Sequence, residues 1–137
     1  MSVTLTKKVA DEIIAAAQRV APLEACGLLA GVGDQLTRAY VLTNADAAAE
    51  HYRMLPEEQF AAITDMRRAG LRMLAIWHSH PASPARMSEE DLRLAFTPDV
   101  LYVIVSLAEG ETPVVRAFAV NDGVSQNVAL SIVEEPN

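Results

Sequence analysis

The chain has 137 residues, of which 51% are hydrophobic, and its formal net charge is -7 from 18 acidic and 11 basic residues. This length and apolar content fit one domain, residues 1–137, whose core can form without a disulfide or a structural metal. The acidic balance, without any Lys/Arg cluster to offset it, disfavours binding to nucleic acid or to an anionic membrane surface.

Cysteine usage and the N-terminus indicate the compartment. Cys26 is the single cysteine, so no intramolecular disulfide can form. The first eight residues lack a long apolar stretch, which predicts neither a signal peptide nor a membrane span. We therefore expect a cytoplasmic protein; the sequence does not indicate its oligomeric state.

Helices and strands are predicted to alternate along the chain. Apolar residues at helical spacing predict a first helix over residues 6–20, which Pro22 ends. Pro56 and Gly70 bracket a second helix, and residues 88–96 form a third. Predicted strands span residues 27–32, 35–43, 71–77, 100–107, 114–120 and 124–133. Residues 44–54 fit loop, strand or weak helix. This order predicts an α/β domain with a mixed sheet flanked by helices.

Two histidines follow directly on a predicted buried strand. His78 and His80 are spaced i, i+2, so they would leave the same face of that strand roughly 6–7 Å apart. Two imidazoles at that distance can lean together and share one ion with bonds of about 2.0–2.1 Å. The pair also fits two exposed polar residues with no ligand, and taken alone it does not decide between these interpretations.

A serine and an aspartate farther along form a second short pattern. Ser88-Glu89-Glu90-Asp91 has the form of an N-terminal capping box, with the serine at the cap and an acid three residues later. Taken alone, capping is the favoured role for this tetrapeptide.

The joint pattern is more specific than its parts. His78-Ser79-His80-Pro81, six residues, and then Ser88-x-x-Asp91 resembles the signature of the JAMM (MPN+) metalloprotease family. An upstream Glu24-Ala25-Cys26-Gly27-Leu28-Leu29 matches the glutamate context of that family. The resemblance covers nearly the whole chain and implies a JAB1/MPN-like fold, an architecture similar to that of cytidine deaminases.

The resemblance implies a role for each matched residue. His78, His80 and Asp91 would hold one Zn²⁺ with a fourth position left for water, Glu24 would be the general base and acid, and Ser88 would help to stabilise the oxyanion. Zinc held by three protein ligands lowers the pKa of the water at its fourth position to about 7. A carboxylate can then take the proton and return it to the leaving amine, and a hydroxyl is a small neutral donor for the oxyanion.

Other polar residues receive less specific interpretations. Tyr52 and Arg53 lie in a segment resembling one that related enzymes place near the substrate tail, although Leu55 stands where an acid is common, so they are weaker candidates for substrate binding. Cys26 and Trp77 are expected to be buried packing residues, with Trp77 on the strand face opposite His78. His51, in polar, alanine-rich surroundings, is expected to be an exposed loop residue.

The short chain resembles the compact prokaryotic members of the family. The resemblance to these members implies a zinc peptidase that cleaves a peptide or isopeptide bond at the C-terminal Gly-Gly tail of a ubiquitin-like or sulfur-carrier protein. Two alternatives stay open. One is a RadC-like domain of uncertain activity, although Ser79 stands where Asn is usual there. The other is a metal-free MPN-type binding or scaffold module, although this chain keeps all five motif residues.

Overall fold

The computed structural model describes residues 1–108 and 112–135. Within these residues the strands are β1 (Ser2–Thr6), β2 (Cys26–Val32), β3 (Gln35–Leu42), β4 (Arg72–His80), β5 (Leu101–Ser106), β6 (Val114–Asn121) and β7 (Val124–Val133). The helices are α1 (Lys7–Val20), α2 (Pro56–Arg68) and α3 (Glu89–Leu94). The prediction of an α/β domain with a mixed sheet is confirmed.

The strands form one closed sheet in the order β1-β3-β2-β4-β5-β6-β7, and β1 pairs parallel with both β3 and β7. β1 is an element that the sequence analysis missed. Its signal was the alternation of Val3 and Leu5, which are 6% and 0% exposed. These two side chains join the core around α1, so the parallel pairing that closes the sheet also buries them.

Two helices pack on opposite faces of the sheet. The apolar stripe of α1, including Val9 and Ile13, packs with Leu29, Ala75 and Trp77 in the main core. α2 covers the other face through Ala62 and Met66, which pack with Cys26, Leu28 and Ala30 of β2. Because side chains alternate along a strand, both faces of β2 and β4 are apolar, as expected for strands covered on both sides.

β4 is the central strand for the site. It pairs antiparallel with β2 and parallel with β5, and the second pairing continues as far as His80 opposite Ser106. The predicted strand ended at Trp77, and the extension arises because β5 provides partners for three further residues, while β2 provides one for His78. His78 and His80 therefore leave a rigid strand on the face opposite Trp77.

Two further elements differ from the prediction or complete it. α3 is shorter than the predicted segment, ends at Leu94, and leaves Phe96 79% exposed. The segment between β3 and α2, left open by the sequence, contains turns and bends without a helix or strand. Within the described part of the chain, no helix is both long enough and apolar enough to span a bilayer. Of the acidic C-terminus, Pro136 and Asn137 lie outside the described residues.

The backbone at Gly27 is packed too closely for any side chain. Gly27 pairs with Trp77 of β4, and the Trp77 indole N–H donates to the Tyr40 carbonyl oxygen at 3.2 Å, passing beside this glycine. A Cβ at Gly27 would overlap that same carbonyl oxygen. The glycine of the Glu-x-x-Gly pattern is thus explained by packing.

We expect Gly27→Ala to lower the free energy of unfolding by about 3 kcal/mol or more, because the added methyl meets backbone that cannot move independently. Urea denaturation of the purified protein measures this. The control is Val32→Ala at the end of the same strand, where the side chain is 60% exposed and the expected change is about 0.5 kcal/mol or less. Equal stability of the Gly27→Ala and wild-type proteins would contradict the packing argument.

Candidate functional site

Three side chains each place one donor atom in a small triangle. His78 Nε2 lies 3.1 Å from His80 Nε2, and Asp91 Oδ2 lies 3.2 Å from His78 Nε2 and 3.0 Å from His80 Nε2. The two histidines are 1% and 4% exposed, so they are not the exposed pair that the sequence left open. The structure brings together residues separated by eleven positions along the chain.

This triangle fits a divalent ion. Four ligands arranged tetrahedrally at about 2.0–2.1 Å from zinc would stand about 3.3–3.4 Å from one another, slightly more than the distances found here. Two imidazole nitrogens and a carboxylate oxygen are a donor set that zinc accepts. The three residues could therefore hold a metal with little movement.

The tautomer of His80 is fixed by a neighbouring carbonyl. His80 Nδ1 lies 2.9 Å from the Pro84 carbonyl oxygen, which can only accept a hydrogen bond. Nδ1 therefore carries the proton, and Nε2 turns its lone pair toward His78 and Asp91 when the ring is neutral. Pro84 lies in the turn after β4, so this turn orients the ring.

His78 is oriented by stacking. The Tyr52 ring lies on it with centroids 4.8 Å apart and an angle of 27° between the planes. Its Nδ1 is buried and has no hydrogen-bond partner among the described residues. Burial lowers the pKa of His78, with Asp91 acting in the opposite direction. A neutral ring is the form that binds a metal.

The capping box of α3 holds Asp91. The Ser88 hydroxyl oxygen accepts from the Asp91 backbone N–H at 3.0 Å, and Asp91 Oδ2 accepts from the Ser88 N–H, also at 3.0 Å. The capping interpretation is thus confirmed. Burial alone would raise the pKa of Asp91, but His78 and His80, which donate to this carboxylate when protonated at Nε2, outweigh burial and hold this pKa well below its usual range. The carboxylate is consequently ionised.

Glu24 lies beside this cluster in the segment between α1 and β2. It is 4% exposed, and its Oε1 has no hydrogen-bond partner among the described residues. Burial raises its pKa to about 8, against the opposing field of His80. A dication bound next to it would favour the ionised form.

An open cavity of about 600 Å³ gives access to the cluster. Its lining includes three of the predicted site residues: Glu24, His80 and Ser88. His78 and Asp91 line a separate, smaller pocket together with Tyr52. The Ser88 hydroxyl accepts one hydrogen bond as a cap, which leaves its own hydrogen free to donate to a group in the cavity.

Tyr52 and Arg53, the two weaker candidates for substrate binding, occupy different positions. Tyr52 contacts the cluster through His78, whereas the Arg53 side chain is 59% exposed and forms an ion pair with Asp46 at 2.9 Å. His51 lies 3.2 Å from the same aspartate, in the loop and 43% exposed, as expected for a loop residue. The structure therefore joins Tyr52, but not Arg53, to the triangle.

The remaining expectations concern buried residues. Cys26 and Trp77 are both 0% exposed, which confirms their assignment to packing.

Ser79, between the two histidines, is also 0% exposed and received no role from the sequence. Its hydroxyl accepts from the Ala25 N–H at 2.7 Å, and its own N–H donates to the Ala25 carbonyl at 3.0 Å. Ser79 thereby ties β4 to the residue that follows Glu24; its position between two candidate ligands was the available signal.

Comparison with known proteins identifies the family to which the chain belongs. The family model for prokaryotic homologs of the JAB domain matches residues 6–121. The chain is 34% identical over 127 residues to the CysO-cysteine peptidase of Mycobacterium tuberculosis, covering 91% of this chain and 87% of that protein. It is 37% identical over 116 residues to a probable TtuB-protein conjugate cleaving protease of Thermus thermophilus, covering 84% and 72%. A solution structure from Desulfitobacterium hafniense superposes with a TM-score of 0.88 at 46% identity, covering 97% and 94%.

We expect Ser88→Ala to lower the free energy of unfolding by about 1 kcal/mol, since the Asp91 N–H loses its acceptor. Ser88→Thr keeps a hydroxyl at the cap and should lose about half of that or less. Thermal denaturation in the presence of a chelator measures both, with the exposed Ser131→Ala on β7 as the control. A Ser88→Ala protein as stable as the wild type would contradict a stabilising contribution of the cap.

Proposed function

Because the chain belongs to the prokaryotic JAB-domain family of JAMM/MPN proteins, we propose that it is a zinc-dependent peptidase. Its substrate would be a peptide or isopeptide bond at the C-terminal Gly-Gly tail of a ubiquitin-like or sulfur-carrier protein. The observation that carries the proposal is the triangle of donor atoms from His78, His80 and Asp91, which lies next to a buried carboxylate at the end of an open cavity.

The metal site follows from the donor set. His78 and His80 would each provide Nε2 and Asp91 would provide Oδ2 to one Zn²⁺. When bound, the ion supplies Lewis acidity and a lowered pKa for the attacking water. Pro84 and Tyr52 keep the two imidazoles oriented, and the capping box keeps the carboxylate in place.

Glu24 would move the proton. Its carboxylate receives a proton from the water that attacks the scissile carbonyl carbon, and returns it to the leaving nitrogen as the C–N bond breaks. The hydroxyl of Ser88 would donate its free hydrogen to the oxyanion that forms at the carbonyl oxygen. The products are a carrier protein with a free C-terminal carboxylate and a free amine, and no covalent bond to the enzyme forms.

The substrate class is supported by the two peptidase relatives, whose names specify CysO-cysteine and TtuB-protein conjugates. Tyr52 and Arg53 stay predicted contacts of the carrier tail, since they lie on the loop beside the site. The match to the prokaryotic JAB family favours this proposal over a RadC-like domain, and the convergence of the donors favours it over a metal-free scaffold. A cytoplasmic location remains part of the proposal.

We expect His78→Ala and Asp91→Ala to weaken zinc binding by at least about 100-fold, because loss of an outer-shell partner alone costs 10–100-fold. Zinc content after dialysis, measured by atomic absorption, tests this. His51→Ala is the matched control, since that histidine lies nearby but outside the triangle. Stoichiometric zinc in the Asp91→Ala protein would remove the proposed metal site.

We expect Glu24→Gln to retain zinc and to lower kcat by about 10²–10⁴-fold, the usual contribution of general acid–base catalysis. The assay is cleavage of a carrier protein that ends in Gly-Gly plus an appended residue, and a chelator should abolish it in the wild type. Glu57→Gln, an exposed carboxylate on α2, serves as the control. Wild-type kcat in the Glu24→Gln protein would mean that another group is the base.

A further inference from the structure

The loop formed by residues 43–55 passes over one side of the site. It connects β3 to α2, contributes the Tyr52 ring that stacks on His78, and supplies Ala49 and Glu50 to the cavity wall. It contains no helix or strand. A segment without regular backbone hydrogen bonds needs other interactions to hold one conformation.

The Asn44 side chain provides those interactions within the loop. Its Oδ1 accepts from the backbone N–H groups of Asp46 and Arg53, both at 3.2 Å. Its Nδ2 donates to the His51 carbonyl at 3.0 Å. A backbone bond from Ala45 N to the Arg53 carbonyl, 2.8 Å long, runs parallel to these contacts. One side chain thus joins the beginning of the loop to its end.

The same side chain reaches Glu24. Asn44 Nδ2 lies 3.1 Å from the Glu24 carbonyl oxygen, and the Ala48 carbonyl accepts from the Glu24 N–H at 2.8 Å. Ala48 O is also 3.4 Å from Asn44 Nδ2, a longer contact than the other two. Both backbone polar groups of Glu24 are therefore bound by the loop that Asn44 organises.

The Glu24 backbone is not held by strand pairing. β2 begins at Cys26, and the next residue back, Ala25, is held by Ser79. The carboxylate of Glu24 is buried and its Oε1 has no hydrogen-bond partner among the described residues, so its position depends on the backbone that carries it.

We propose that Asn44 is a positioning residue for Glu24: through its amide it fixes the loop and the Glu24 backbone, and so the place of the carboxylate beside the triangle. This inference rests on the proposed function. An asparagine suits the position because a carboxamide offers two N–H donors and an acceptor oxygen together. An aspartate would keep the acceptor and lose both donors.

The first test is Asn44→Ala, with Asn127→Ala on the exposed surface of β7 as the matched control. We expect Asn44→Ala to keep stoichiometric zinc, because β4 and the capping box hold the metal ligands. Hydrogen–deuterium exchange should become faster at the Glu24 amide and in residues 45–53, and stay unchanged in β4. We expect kcat to fall by roughly 10–100-fold, the effect of misplacing a reacting group by about 1 Å.

A double-mutant cycle with Glu24→Gln separates positioning from a general structural role. If Asn44 acts through Glu24, Asn44→Ala should change kcat by less than about twofold in the Glu24→Gln background. The same loss in both backgrounds would overturn the proposal, as would unchanged exchange at the Glu24 amide. If circular dichroism shows that Asn44→Ala is unfolded, Asn44→Asp replaces it with the same expectations.

The two proposals fail in different ways. Absence of chelator-sensitive cleavage by the wild type would remove the peptidase assignment, whereas the exchange experiment would still decide whether Asn44 holds Glu24. Cleavage by the wild type, with an additive loss in the cycle, would remove the Asn44 proposal alone.

Discussion

The site depends on the pairing of β4 with a strand on each side. His78 lies opposite Cys26 of β2 and Ile104 of β5, so its backbone has no freedom to turn. Two buried imidazoles can be tolerated there because each is oriented by a neighbour, Tyr52 in one case and the Pro84 carbonyl in the other. The apolar contacts of Trp77 on the opposite face anchor the same strand in the core. Rigidity at the ligands is thus a property of the sheet.

The two carboxylates of the site are held by different means. Asp91 is fixed locally, because the bonds of the capping box join residues only three positions apart. Glu24 is fixed by contacts from distant parts of the chain, since the loop after β3 binds its backbone and Ser79 binds the next residue. This division suits their proposed roles: a metal ligand must stay in one place, whereas a proton carrier has to remain unpaired within reach of the reacting atoms.

Much of the fold followed from local patterns, because spacing alone defines helical stripes and buried strands. Membership of the family and its JAB1/MPN fold are confirmed. The sequence also placed His78 and His80 on one face and Asp91 in the first turn of a helix. The sequence analysis missed β1, because the alternation of Val3 and Leu5 is a short signal and the five residues gain their stability from pairing with β7 at the other end of the chain. The Asn44 contacts were inaccessible, because their partners are mostly carbonyls whose positions depend on the tertiary fold.

α3 would connect the proposed metal site to the shape of the cavity. The helix has six residues, none of them fully buried, so packing holds it only weakly. Asp91 belongs to its first turn and also points at the two histidines. Occupation of the triangle by an ion and ordering of this helix would therefore be thermodynamically linked, each favouring the other. Removal of a bound ion would then loosen the cavity wall that Ser88, Glu89 and Glu90 form. A shortage of metal would therefore change the shape of the cavity in addition to removing the metal.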